Sequence, residues 1–152
     1  MKLLFDEPLC KAMADLQNAF KGNINAEGVY IVYFKGDVNR IIKNICKVSS
    51  KGYAVYDDEL LRSKVLATKN SDEKILYIGK AEGNGRLYKR LKQYFGKSGH
   101  QGGRALWQID NICDCDIMIK AYQDDKPRNL EGKLLQDFKG KYGVLPMANW
   151  RL

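Results

Sequence analysis

Long apolar runs are missing from this chain of 152 residues. None reaches the roughly 20 apolar residues that cross a bilayer. The opening MKLLFDEPL carries one Lys and an apolar stretch that Asp6 and Glu7 interrupt, too little for a secretory leader. Paired cysteines are missing too. Cys10, Cys46, Cys113 and Cys115 lack the spacing of a structural zinc site, and Cys113-Asp114-Cys115 is one residue short of the usual CxxC arrangement. Free buried thiols in a reducing cytoplasm, and a cytoplasmic protein, are the expectation. The segment Gly79 to Gly85 contains no Gly-x4-Gly-Lys-Ser/Thr pattern, which excludes a P-loop nucleotide site. Internal repeats and low-complexity tracts are absent.

Acidic residues are in short supply, 18 against 26 Lys and Arg, for a formal charge of +8. That excess favours a polyanionic partner without saying which. With 45% hydrophobic and 29% charged residues, the composition is that of one soluble domain with a single core over 1–152.

Pro8 after Asp6 and Glu7 resembles an acidic helix start, and Leu9, Met13, Leu16 and Phe20 recur at helical spacing up to Gly22. Residues 1–27 therefore read as an N-terminal helix extension. Gly28 opens Val29-Tyr30-Ile31-Val32-Tyr33-Phe34, β-branched and aromatic on both faces, a strand covered on both sides. Residues 36–74 form an insertion, with a helix or strand over 41–48 and a helix over 57–67. Ile75 to Ile78 is a second strand running into a glycine-containing loop over 80–85, followed by a helix from Arg86 to about Phe95. A further helix over 105–112, a third strand in which Cys115, Ile117, Ile119 and Ala121 share one face, and a helix from Pro127 to about Gly140 complete the reading. The fold class is α+β, a small, mainly antiparallel three-stranded sheet flanked by helices.

Between Arg86 and Arg104 stand six basic residues (86, 89, 90, 92, 97 and 104) and no acidic one, with Tyr88, Tyr94 and Phe95 among them. A solvated helix face usually mixes signs, so Arg86, Lys89, Lys92, Lys97 and Arg104 are candidates for phosphate contact. Arg86, Arg90 and Tyr94 stack on one side of a helix, at the rim of the stripe formed by Leu87 and Leu91, where a bidentate phosphate clamp belongs. Glu131, four residues before Leu135, falls on the inward flank of its helix. A carboxylate there needs a positive partner, either an arginine or a divalent cation.

Gly28-Val29-Tyr30 and Tyr77-Ile78-Gly79, followed in order by Lys80, Arg90, Glu131 and Asn149, resemble the signature and site of the GIY-YIG nuclease family. Tyr77-Ile78-Gly79-Lys80-Ala81 and Arg90-Leu91-Lys92-Gln93-Tyr94-Phe95 also resemble the N-terminal nuclease module of the bacterial excision-repair incision protein. The likeness covers Gly28 to Phe34 and Tyr77 to Asn149. It departs from the family in the insertion between the two tripeptides and in a longer loop after Lys80. Tyr94 and Phe95 fix the register that selects Arg90 over Arg86.

What the resemblance implies is a metal-dependent endonuclease acting on phosphodiester bonds, on DNA more readily than on RNA, with one Mg²⁺ or Mn²⁺ ion held by Glu131. Tyr30 would orient or deprotonate the attacking water and Arg90 would neutralise the phosphate. Tyr77, Lys80 and Tyr94 match positions lining the same pocket, Lys80 being placed to lower a phenol's pKa, and Asn149 would hold the scissile phosphate or a tyrosine. His100 sits in a Gly-Ser-Gly-His-Gln-Gly-Gly loop and reads as a solvent-facing residue. The insertion over 36–74 is the expected seat of specificity, of a homodimer contact or of a partner protein. A catalytically inactive module that keeps the fold and binds nucleic acid is the competing reading, separated from the enzyme by metal-dependent cleavage.

Overall fold

The computed structural model describes residues 1–11, 13–49, 52, 55–95 and 101–152. Four antiparallel strands, β1 (Lys2–Pro8), β2 (Gly28–Phe34), β3 (Lys74–Ala81) and β4 (Ile117–Gln123), form one sheet in the order β1-β4-β2-β3. The helices are α1 (Met13–Ala19), α2 (Val38–Lys43), α3 (Asp58–Leu66), α4 (Arg86–Phe95) and α5 (Pro127–Tyr142), with a 3-10 segment over Gln101–Gln108. Among the described residues no helix is long and apolar enough to cross a membrane.

The apolar run of β2 is buried on both faces, as its composition predicts. Tyr30, Val32 and Phe34 join Leu16 of α1 and Leu87 and Leu91 of α4 in the main core. On the other face Ile31 packs with Ile78 and with Leu135 of α5. At α5, Pro127 stands in the first turn, and Gly143, at φ 76°, lets the chain leave in the left-handed conformation that glycine adopts without a Cβ penalty.

The sheet has four strands where the sequence predicts three. Residues 2–8 form a strand, and the first helix begins only at Met13. Asp6, Glu7 and Pro8 favour a helix start locally, but β1 is an edge strand, where charge and proline are tolerated. Tertiary contacts decide the matter: Phe5 is buried in the core, and Tyr33 Oη donates to Asp6 Oδ1 at 2.6 Å. The disulfide Cys10–Cys115 ties the end of β1 to the approach to β4, correcting the expectation that all four cysteines are free. That pairing is invisible without the β1–β4 register.

Two smaller boundaries also move. Gly79, Lys80 and Ala81 belong to β3, opposite Tyr30, Val29 and Gly28, and not to a loop. The helix expected over 105–112 is instead the 3-10 segment that ends at Gln108.

The insertion is part of the core. Val38, Ile41, Ile45, Leu61 and Val65 pack into the same cluster as β2 and α4. Asp57 caps α3 by accepting from the Glu59 backbone N–H at 3.2 Å. Arg62 donates to the carbonyls of Ile42 (3.1 Å) and Ile45 (2.8 Å), closing the turn after α2. Gln108, 1% exposed, receives the Tyr56 N–H at 2.7 Å and donates to the carbonyls of Cys46 and Tyr56, so the insertion is pinned to the 3-10 segment through a fully used amide.

Leu61→Ala should therefore destabilise the whole domain by about 2–5 kcal/mol, as a core leucine does. Urea unfolding followed by circular dichroism checks this. An unchanged midpoint would mean that the insertion is an appendage.

Candidate active site

The pairing of β2 with β3 sets Tyr30 opposite Gly79 and Val32 opposite Tyr77. At position 79 a Cβ would overlap the Tyr30 ring, so only glycine lets that ring lie flat across β3. Tyr94 of α4 closes on the same ring from above. The centroid distances are 6.0 Å for Tyr30 to Tyr77 and 5.6 Å for Tyr30 to Tyr94. A Cβ at Gly103 would come within 2.8 Å of Tyr94 Oη, so a second glycine makes room for the cluster.

All three phenols are buried. Burial pushes each hydroxyl's pKa up, and the neighbouring phenols add to the rise at Tyr30. The half-buried Arg90 opposes the rise at all three, which places its charge beside the cluster. Arg86, one turn earlier on α4, is exposed. The cation that acts on the phenols is thus Arg90. Lys80, expected in that role, acts on Glu131 instead.

Glu131 stands half-buried on α5, and Tyr77 feels its charge. It makes no hydrogen bond or ion pair among the described residues. Burial raises its pKa above the ordinary 4.5, and Lys80 only partly offsets the effect. The cations that would neutralise it are engaged by Glu82: Lys80 Nζ lies 3.3 Å from Glu82 Oε1, and Arg128 Nε donates to the same oxygen at 3.0 Å. The arginine salt bridge, one of the two partners the sequence leaves open for Glu131, does not form.

Asn149 is buried beside these groups, and its amide bonds the β3 backbone in both directions. Nδ2 donates to Ile78 O at 2.8 Å, and Oδ1 accepts from Ile78 N at 2.9 Å. It therefore fixes the strand between Tyr77 and Gly79. Lys64, which the sequence reading passes over, holds Asn149 in turn: its buried ammonium donates to the carbonyls of Met147 (3.1 Å) and Asn149 (2.6 Å). Removal from water pushes the Lys64 pKa down to about 8. The signal was present, since Lys64 falls between Leu61 and Val65 on the apolar face of α3.

Of the remaining basic candidates, Lys89 and Lys92 are exposed on α4, and Lys92 Nζ lies 5.5 Å from the Tyr88 ring centroid. Arg104 is half-buried, and its Nη2 donates to Tyr56 Oη at 3.2 Å. Lys97 and His100 lie outside the described residues.

A carboxylate whose pKa is raised on folding lowers stability once it ionises. The loss is absent below the unfolded value and complete above the folded one. Glu131→Gln should raise the thermal midpoint at pH 7 relative to wild type and bring little or no gain at pH 4. An equal difference at both pH values would show that Glu131 ionises without penalty.

No family model matches the chain. It is 29% identical over 76 residues to UvrABC system protein C of Prosthecochloris aestuarii, a stretch covering 50% of this chain and 12% of that protein. UvrABC system protein C of Clostridium tetani is 30% identical over 81 residues, 53% of this chain and 12% of the relative. The Chlorobaculum tepidum protein of the same name is 28% identical over 75 residues, 49% of the chain and 11% of the relative. Over about half its length, then, the chain is similar to a small part of UvrABC system protein C.

Proposed function

We propose that this chain is a metal-dependent endonuclease of GIY-YIG type that hydrolyses phosphodiester bonds of DNA. The observation that carries the reading is the meeting of a half-buried carboxylate, Glu131, which makes no ion pair among the described residues, with Lys80, Arg90 and the Tyr30–Tyr77–Tyr94 cluster at one end of the β2–β3 pair. The likeness to UvrABC system protein C supports it.

Glu131 fits a hard divalent cation, Mg²⁺ or Mn²⁺. One carboxylate with water and phosphate oxygens suffices for an ion that dehydrates reluctantly. When bound, such a cation lowers the pKa of a water and neutralises phosphate charge.

The chain's own residues divide the remaining work. Arg90 presents a fork-shaped guanidinium to the phosphate. Lys80, on the strand beside Glu131, adds positive charge where the leaving oxygen becomes anionic. Tyr30, Tyr77 and Tyr94 act as neutral hydrogen-bonding groups, because raised pKa values keep them protonated at neutral pH. Tyr30 thus orients water and does not act as a phenolate base. Asn149 keeps Tyr77 and Gly79 in register, and the exposed Arg86, Lys89 and Lys92 draw the polyanion towards the site.

Purified protein incubated with supercoiled plasmid and a labelled single strand, with Mg²⁺, Mn²⁺ or EDTA, tests this. Cleavage should require metal and fall roughly 100- to 1,000-fold in Glu131→Ala and Arg90→Ala. Tyr30→Phe, which deletes one neutral hydrogen bond, should cost no more than about tenfold. Wild-type protein that binds but does not cut with either metal would return the chain to the non-catalytic binding reading.

A further inference from the structure

Beside the candidate site a cleft of about 500 Å³ opens between the insertion and the chain's last residues. Tyr56, Tyr77, Arg104, Asn149, Trp150 and Arg151 line it. Tyr77 and Asn149 belong equally to the site described above, so the two are continuous. Tyr56, Trp150 and Arg151 come from outside the stretches that carry the family resemblance.

The chemistry of this lining is one-sided. It holds two guanidinium groups and no carboxylate. Arg104 donates from Nη2 to Tyr56 Oη, while its Nε is buried without a hydrogen-bond partner among the described residues. Neither Arg104 nor Arg151 forms an ion pair among those residues. A buried guanidinium N–H without an acceptor is costly, and a phosphate oxygen is the acceptor that a guanidinium fork fits best.

The aromatic residues in the cleft do not offer a stacking platform. The Trp150 ring lies parallel to that of Tyr56 at 4.1 Å, tilted by 18°, and the Lys64 ammonium stands 4.0 Å from its centroid. With both partners at stacking distance the indole is committed to the protein. It forms a firm wall, and the free chemistry in the cleft is that of the two arginines.

We infer that this cleft is a second phosphate subsite, in which Arg104 and Arg151 grip the phosphodiester next to the one held at Glu131 and Arg90. The assignment rests on the nuclease reading for the identity of the strand. It gives the insertion a role in substrate binding: Tyr56 orients Arg104, and Lys64 of α3 seats the segment that carries Trp150 and Arg151.

The test is equilibrium binding of a short fluorescent single-stranded DNA in EDTA, where no cleavage occurs, by anisotropy across a salt series. Each phosphate contact contributes about 0.7 to the slope of log K against log salt for a single strand. Arg104→Ala and Arg151→Ala should each flatten the slope by roughly that amount and weaken binding severalfold at low salt. Arg104→Lys, which keeps the charge, should keep the slope. Arg151 is exposed, so its variant reports even if Arg104→Ala does not fold. Lys139→Ala, on α5 outside the cleft, should leave the slope unchanged; a shift equal to that of the arginine variants would show diffuse attraction and overturn the subsite. Unchanged slopes in both arginine variants overturn it too, and leave the nuclease reading standing. A wild-type chain that fails to bind overturns both. Flattened slopes in a protein that never cuts keep the subsite and remove the catalytic reading.

Discussion

The ring of Tyr30 occupies the space that any side chain at position 79 would need. This one steric exchange, glycine on β3 for tyrosine on β2, organises the rest of the candidate site. It lets the first phenol lie across the sheet, where Tyr77 and Tyr94 close around it and where Arg90 and Glu131 come within electrostatic reach. A slip of one residue of β3 along β2 would turn Tyr77 to the α5 face, away from Tyr30. The backbone lock that Asn149 places on Ile78 works against that slip, and Lys64 holds the lock in place.

The arrangement carries costs that stability alone would not select. Three phenols are buried with raised pKa values, a carboxylate is half-buried without an ion-pair partner among the described residues, and a lysine is withdrawn from water. The nearest alternative, pairing Glu131 with Lys80 or Arg128, is forestalled because Glu82 holds both cations. Perturbed titratable groups gathered in this way are a feature of functional sites more than of plain cores.

Much of this was legible from local pattern. The strand at β2, the limits of α4 and the start of α5 follow from side-chain type and spacing, and the pairing of the two tripeptides is what the family resemblance implies. Three things were hidden because they depend on long-range pairing. The first strand reads locally as a helix start and becomes a strand only by joining the β4 edge; the Cys10–Cys115 bond follows from that pairing. The place of the insertion in the core is hidden because it depends on distant partners: Gln108 and Lys64 tie it to the 3-10 segment and to the chain's last residues. Asn149 was found by its order along the chain, but its task of bracing a strand appears only when both of its amide atoms are seen on Ile78.

On the proposed reading Glu131, which makes no ion pair among the described residues, holds a divalent cation. Titration of the metal-free protein with Mn²⁺, followed by the loss of the free-ion electron paramagnetic resonance signal, measures this without any nuclease assay. One ion per chain, lost in Glu131→Gln and competed away by Mg²⁺, is the predicted result. Equal Mn²⁺ binding by wild type and Glu131→Gln, or none by either, would contradict it.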